Sequence, residues 1–346
     1  MTTLFDRLGM PLAGRATAAV LTLGLVAWVL LFSSPASAQA SSCADAVTSA
    51  PAVPATVSAA STPFDRALVV GSGTYTGCSL YLLTSDELHA LTGAPFACSD
   101  NLNPLGTGNP CDTVLWPALL TKGAPIAGPG VNPRLLGTVT RTDLPGLPAV
   151  QQVTYAGYPL YRFFLDGAPG DYEGANLDDP VTSPAGIWYL VNPRRGTPAT
   201  GQAQLQLETA PVDGTGPEAT VLAATMDNDF GSFADESFPL YTLSGDHQYG
   251  WGDFDRHGES ACQGLCAVYW PPLLTSRWPE AAQGVDGRAL GVIVRPDGSR
   301  QVTYHGRPLY LFNKDAYIAG LVGTQGINGA DAHSPWGVFN TVPPLP

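Results

Sequence analysis

His257, Cys262 and Cys266 lie close together in "HGESACQGLC", and an imidazole beside two thiols is the donor set of a copper or zinc site. The spacing is not that of C-x-x-C-H haem attachment, and no histidine sits at the matching place before the similar pair Cys98 and Cys111. The same sulfurs have a competing use. Aligning "ACSDNLNPLGTGNPCDTVLWPALL" with "ACQGLCAVYWPPLL" sets Cys98 opposite Cys262 and Cys111 opposite Cys266. Equivalent positions doing equivalent work predict the disulfides Cys98–Cys111 and Cys262–Cys266, leaving Cys43 for Cys78, as an even cysteine count in an exported chain favours. The acidic loops "DGAPGDYEGANLDD" and "WGDFDRHGES" offer oxygens to calcium, although neither carries the D-x-D-x-D-G…E pattern. No G-x-S-x-G elbow, H-E-x-x-H helix or phosphate-binding glycine loop is present. Asp253 and Asp255 are neighbours in sequence, which does not set the separation glycoside hydrolysis needs. The residues therefore predict a non-enzyme that requires no cofactor.

Tyrosine followed five positions later by aspartate occurs four times, as Tyr81/Asp86, Tyr161/Asp166, Tyr241/Asp246 and Tyr310/Asp315. Each copy precedes a tryptophan in or beside an apolar run: Trp116, Trp188, Trp270 and Trp336. Phe163 and Phe312 add an aromatic two residues after the tyrosine, where the other copies have Leu83 and Leu243. On a strand, Tyr310 and Phe312 face one side and Leu309 and Leu311 the other, so the segment is apolar on both faces. The hydroxyl then needs a partner at the rim. An aspartate at the strand exit is placed to accept backbone N–H bonds and fix a turn. The motif thus reads first as frame, and second as carboxylates gathered by repetition around a cation.

Such a frame needs strands, and the sequence supplies them. "LLGTVTRTD…QQVTYAGYPLYRFFLD" aligns with "ALGVIVRPDGSRQVTYHGRPLYLFNKD", and the order of related halves is A-B-A-B. Alternation around Val292 and Val294, an Asp297-Gly298 turn and a return over Gln301–Tyr304 make a hairpin. "SDELHALTG" is the best helical window. The expected fold is all-β: four related antiparallel four-stranded units in two tandem modules, with a single four-bladed propeller as the alternative. The expected boundaries are a signal peptide over 1–38, a flexible leader over 39–62, modules over 63–193 and 219–346, and a linker over 194–218.

The N-terminus carries Arg7 and Arg15, an apolar run from Ala16 to Phe32 and the small residues of "SSPASAQA", the layout of a cleaved secretory signal; retention as an anchor is the alternative. Cleavage removes Asp6, Arg7 and Arg15, one acid and two bases, taking the net charge from -13 to -14. That surface repels nucleic acid and anionic membranes. No membrane span is expected after cleavage.

The phrases "QVTYHGRPLYLFNKD", "SACQGLCAVYWPPLL" and "QQVTYAGYPLYRFFLD" resemble a bacterial secreted repeat family, often lipoproteins, marked by a Tyr-x-aromatic-x-x-Asp motif. The strict motif is met by Tyr161/Phe163/Asp166 and Tyr310/Phe312/Asp315, and the lipid-attachment sequence common in the family is missing. The resemblance implies an extracellular address and a repeat, without a reaction. The chain is expected to be a secreted, disulfide-pinned structural or binding module of the cell envelope or extracellular space, recognising an unidentified ligand or envelope component. The alternative is an extracytoplasmic metal-binding or redox-associated protein.

Overall fold

The computed structural model describes residues 43–99, 110–179, 186–212, 216–225, 237–250, 256–313, 315 and 327–344, and the statements below concern those residues. The signal-peptide reading of 1–38 lies outside them.

Period-two alternation distributes each copy of the motif between two cores. Leu80, Leu82, Leu160, Leu240, Leu309 and Leu311 all enter one central cluster. Tyr81, Leu83, Tyr161 and Phe163 turn to a second cluster, and Tyr241, Leu243, Tyr310 and Phe312 to a third. The central cluster takes residues from both halves of the chain, Tyr189 and Val153 beside Leu222 and Val302 among them.

The fold is mostly β, built from several small sheets, none closed into a barrel. In the first half, Thr56–Thr62 pairs antiparallel with Asp65–Val70 and parallel with Ile126–Ala127. In the second, Gln204–Pro211 pairs antiparallel with Glu218–Thr225 and parallel with Glu280–Ala281. Gly186–Val191 sets Trp188 opposite Leu83, and Gly337–Thr341 sets Phe339 opposite Leu243. Val150–Tyr155 and Arg300–Tyr304 each pair with the strand before them, Leu136–Arg141 and Leu290–Val294, and with the short strand after them. The turn into that short strand holds Ala156-Gly157 or His305-Gly306 at positive φ, 50° and 91° or 49° and 73°. That is the backbone of a two-residue hairpin whose twist matches its strands.

The helical window forms Glu87–Thr92, stopped by Gly93 in the left-handed region. A second short helix, Leu265–Tyr269, follows Cys262, where the apolar run had no visible helical period. Three disulfides join Cys43 to Cys78, Cys98 to Cys111 and Cys262 to Cys266.

Two segments differ from their composition. The stretch read as a flexible leader contains the strand Thr56–Thr62, whose Val57 is fully buried. Arg162 donates to the carbonyls of Cys43 and Asp45 and covers the Tyr75 ring at 3.7 Å. Small and β-branched residues that read as low complexity suit a close-packed edge hairpin equally well. The stretch read as a linker contains Pro198–Ala199 and the strand Gln204–Pro211. Leu205 is buried in the central cluster, so tertiary burial there overrides a Gly-, Pro- and Thr-rich sequence.

Candidate functional site

Tyr81 and Tyr161 exchange both backbone hydrogen bonds, at 2.9 and 3.0 Å, and Tyr241 and Tyr310 do the same at 2.9 Å each. Each pair is therefore the centre of a local two-fold, and the side chains obey it. The Tyr81 hydroxyl donates to Asp166 Oδ2 and the Tyr161 hydroxyl to Asp86 Oδ2, both at 2.8 Å. In the second half Tyr241 donates to Asp315 Oδ2 at 2.6 Å and Tyr310 to Asp246 Oδ2 at 2.5 Å. No tyrosine bonds the aspartate of its own motif; each bonds its partner's.

The second carboxylate oxygen is engaged as well. Oδ1 of Asp86, Asp166, Asp246 and Asp315 accepts the backbone N–H of Ala97, Glu173, Ala261 and Asn328, at 2.8, 2.9, 2.7 and 2.9 Å. All four tyrosines are buried, as are the aspartates. Removal from water raises the pKa of each aspartate, for Asp315 to about 7, although tyrosine and backbone donors pull the other way. The same burial pushes the phenols of Tyr81, Tyr161 and Tyr310 up.

The tryptophans close these braces. Trp116 stacks on Trp188 at 3.7 Å and 8°, and Trp270 stacks on Phe339 at 3.7 Å and 2°. Tyr81 and Tyr241 meet Trp116 and Trp270 edge-on, at 5.4 and 5.3 Å. Phe163 and Phe312 lie 4.1 Å from the same indoles. Room for the indoles comes from Gly174 and Gly329, where an added Cβ would stand 2.6 and 2.7 Å from the ring. Trp336 lies outside this stack: its backbone N–H bonds Ser334 in the turn before Gly337–Thr341, and Phe339 occupies the register position of Trp188. Residue type pointed to Trp336, whereas strand register selects Phe339. Phe339→Leu is expected to cost about 1–2 kcal/mol through lost ring contact and volume, and Trp336→Leu clearly less. Equal denaturation shifts for the two variants would contradict this equivalence.

A buried guanidinium backs each brace. Arg141 donates to Gln152 Oε1 at 2.6 Å, Cys98 O at 3.0 Å and Asp112 Oδ2 at 2.8 Å, and forms a forked pair with Asp143 at 2.7 and 2.8 Å. It also reaches the Tyr161 hydroxyl at 3.3 Å. Arg295 donates to Gln301 Oε1 at 2.7 Å and Cys262 O at 3.0 Å. Gln152 and Gln301 pass the chain on to the carbonyls of Leu160 and Leu309, at 2.9 and 2.8 Å. Burial opposes the Arg141 charge, but Tyr161, Asp143 and Asp112 outweigh it and hold its pKa above the usual value. The second half has Ala267 in place of Asp112, and there Ser260 Oγ contacts the Tyr310 hydroxyl at 2.5 Å. The sequence motifs alone single out neither the arginines nor the glutamines. Their signal is present nonetheless, since the aligned repeats set Arg141 over Arg295 and Gln152 over Gln301.

Two of the candidate metal donors are committed to each other. Cys262 and Cys266 are bonded to each other, so their sulfurs are not thiolate ligands. The His257 side chain lies outside the described residues, as do residues 251–255 and the side chains of Asp178 and Asp179. Asp171 commits Oδ2 to the Ala168 N–H at 2.8 Å. Among the described residues no group of three or more His, Cys, Asp or Glu is placed to hold a metal ion, and no helix is long and apolar enough to cross a membrane.

The profile of a family described as a secreted repeat of unknown function matches residues 150–191 and 291–329. Each match contributes one tyrosine and, through residues 166 and 315, one aspartate to a brace. The partners, Tyr81 with Asp86 and Tyr241 with Asp246, come from outside the matched segments. No curated protein and no solved structure matches the chain.

Proposed function

We propose that this chain, with its two copies of a secreted repeat, is a non-catalytic structural or binding module of the cell envelope or extracellular space. One observation carries the reading: both oxygens of all four motif aspartates are committed to hydrogen bonds within the fold, the tyrosine bonds all buried and the backbone bonds buried or part-buried. Groups so committed hold a shape; they do not meet a substrate. On this reading the A and B halves are the two arms of one brace, and a module is the least that can satisfy its own carboxylates. It follows that the boundaries near 63–193 and 219–346 enclose one brace each, in preference to a ring of four interchangeable blades. Recognition then falls to the surface that the braces support.

The test is a free-thiol count and metal analysis on protein from the secreted fraction, purified without chelators, together with the Cys262→Ser/Cys266→Ser variant. The expected result is no reactive thiol, no stoichiometric metal, and a loss of about 2 kcal/mol of stability in the variant, as closure of so short a loop implies. Bound copper or zinc with reactive thiols would overturn the reading and move attention to the segment around His257.

A further inference from the structure

Arg66, Arg194, Arg195 and Arg300 line a single cleft of about 320 Å³, together with one carboxylate, Asp65. The chain holds 16 basic residues against 29 acidic ones. Four of the 16 in one cleft, in so acidic a protein, is a concentration of positive charge that self-repulsion alone would disperse.

Two of the arginines are fixed by backbone carbonyls. Arg195 donates to the carbonyl of Gly298 at 2.7 Å, and Arg300 to that of Ser276 at 3.2 Å. Arg66 lies so close over Gly130 that a Cβ there would stand 2.7 Å from its guanidinium nitrogen. Gly130 has φ of 80°, so backbone conformation and space both favour glycine under that side chain. Arg195 and Gly298 come from opposite halves of the chain, and the cleft is complete only when both are present.

Repetition gives an independent argument. What the repeated fold requires occurs twice, as the braces, the indole stacks and the Arg141 and Arg295 networks do. The cleft arginines do not. By strand register, Arg66 corresponds to Thr220 in the second half, and Arg300 corresponds to Gln151 in the first. The fold is built at those places without a guanidinium, so these arginines answer to something other than folding.

We propose that this cleft binds a multiply charged oxyanion, a phosphate- or carboxylate-bearing group, held by the planar donor forks of the four arginines. Guanidinium groups recognise such oxygens in pairs and retain their charge at any physiological pH. Asp65 is a hydrogen-bond acceptor among donors, which favours an anion that also carries hydroxyl groups, as an acidic or phosphorylated sugar does. The inference rests on the reading of the chain as a binding module and names the chemistry its surface selects.

The experiment is calorimetric titration of the full secreted chain with inorganic pyrophosphate and, separately, with citrate, at low and at high salt. Saturable binding that weakens with salt is expected, and the probe that binds more tightly distinguishes phosphate from carboxylate recognition. Arg194→Gln/Arg195→Gln should weaken it by at least about tenfold, while Arg288→Gln, whose arginine pairs with Asp286 outside the cleft, should leave it unchanged. Arg66→Gln gives a second reading from a different strand should the double variant prove unstable. Absence of saturable binding by either probe, or equal affinity in the Arg66 and Arg288 variants, would overturn the cleft assignment and leave the module reading standing. Hydrolysis of the bound pyrophosphate would do the reverse.

Discussion

Asp166→Ala is expected to remove about 3–5 kcal/mol of stability, read as a shift in the denaturant midpoint at unchanged slope. The cost follows from what the substitution leaves behind. Asp166, itself buried, satisfies the Tyr81 hydroxyl through one oxygen in a buried bond and the Glu173 N–H through the other in a part-buried one. Alanine leaves both donors unpaired, and each orphaned buried polar group costs about 1–3 kcal/mol, with a cavity added. Tyr81→Phe should cost less, about 1–2 kcal/mol, because it strands one carboxylate oxygen, Oδ2, while Oδ1 keeps its backbone donor. Asp166→Asn should fall between them. Its amide oxygen can keep the Glu173 bond, and its NH₂ can face the Tyr81 oxygen if the hydroxyl turns to donate elsewhere. The pair Tyr81→Phe/Asp166→Ala should cost less than the sum of the single changes, since the phenol that alanine orphans is then gone. Additive costs would mean that the two side chains act independently, and the brace would lose its meaning as a unit.

The reciprocity of that brace marks the limit of what the sequence conveys. Four copies of Tyr-x4-Asp identify equivalent positions, and alternation around Leu309 and Leu311 identifies the faces. Equivalence is not contact. Each tyrosine reaches the aspartate of the other copy because backbone pairing of Tyr81 with Tyr161, and of Tyr241 with Tyr310, turns the two strands about a shared axis. Nothing local to either motif encodes that pairing. Trp336 shows the converse limit: a rare residue type drew the alignment to itself, while the stack is formed by Phe339, an ordinary aromatic at the correct register. Arg141 and Arg295 were legible as repeated letters but not as buried charges, because an arginine in a strand of alternating polarity reads as solvent-facing until the sheets around it are known. The leader and the linker failed for a further reason: small residues carry little hydrophobic signal, yet a strand of them packs wherever a neighbouring sheet lies close.

Stability should fall as pH rises from about 4 to about 7, the second large effect. Asp86, Asp166, Asp246 and Asp315 all have folded pKa values above those of free carboxyls, with burial as the leading cause. A raised folded pKa means that the native chain binds more protons than the unfolded chain between the two values. The derivative of unfolding free energy with pH is then negative across that window. Below about pH 4 both states are protonated and the contribution is fully present; above the folded value it is lost. For Asp315, raised to about 7, every tenfold gain in proton affinity on folding corresponds to about 1.4 kcal/mol, so this one group accounts for a loss of a few kcal/mol. Its neighbours are not neutral: Glu208 adds to the upward push on Asp315, as Asp171 and Glu173 do on Asp166, while Arg141 opposes it at Asp86 and Arg295 and Arg307 oppose it at Asp246. Asp143, held below the usual range by Arg141 against its own burial, contributes in the opposite direction and is lost only in stronger acid. The protein should therefore melt at a higher temperature at pH 5 than at pH 8, and Asp315→Asn, which cannot titrate, should flatten the slope between pH 5 and 7 while lowering the curve as a whole. Protonation also suits the brace geometry, because a neutral carboxyl can donate to the phenol oxygen that the ionised form only accepts from. A melting temperature that rises from pH 5 to pH 8 would show the four carboxylates ionised in the fold, with the tyrosine and backbone donors outweighing the loss of water.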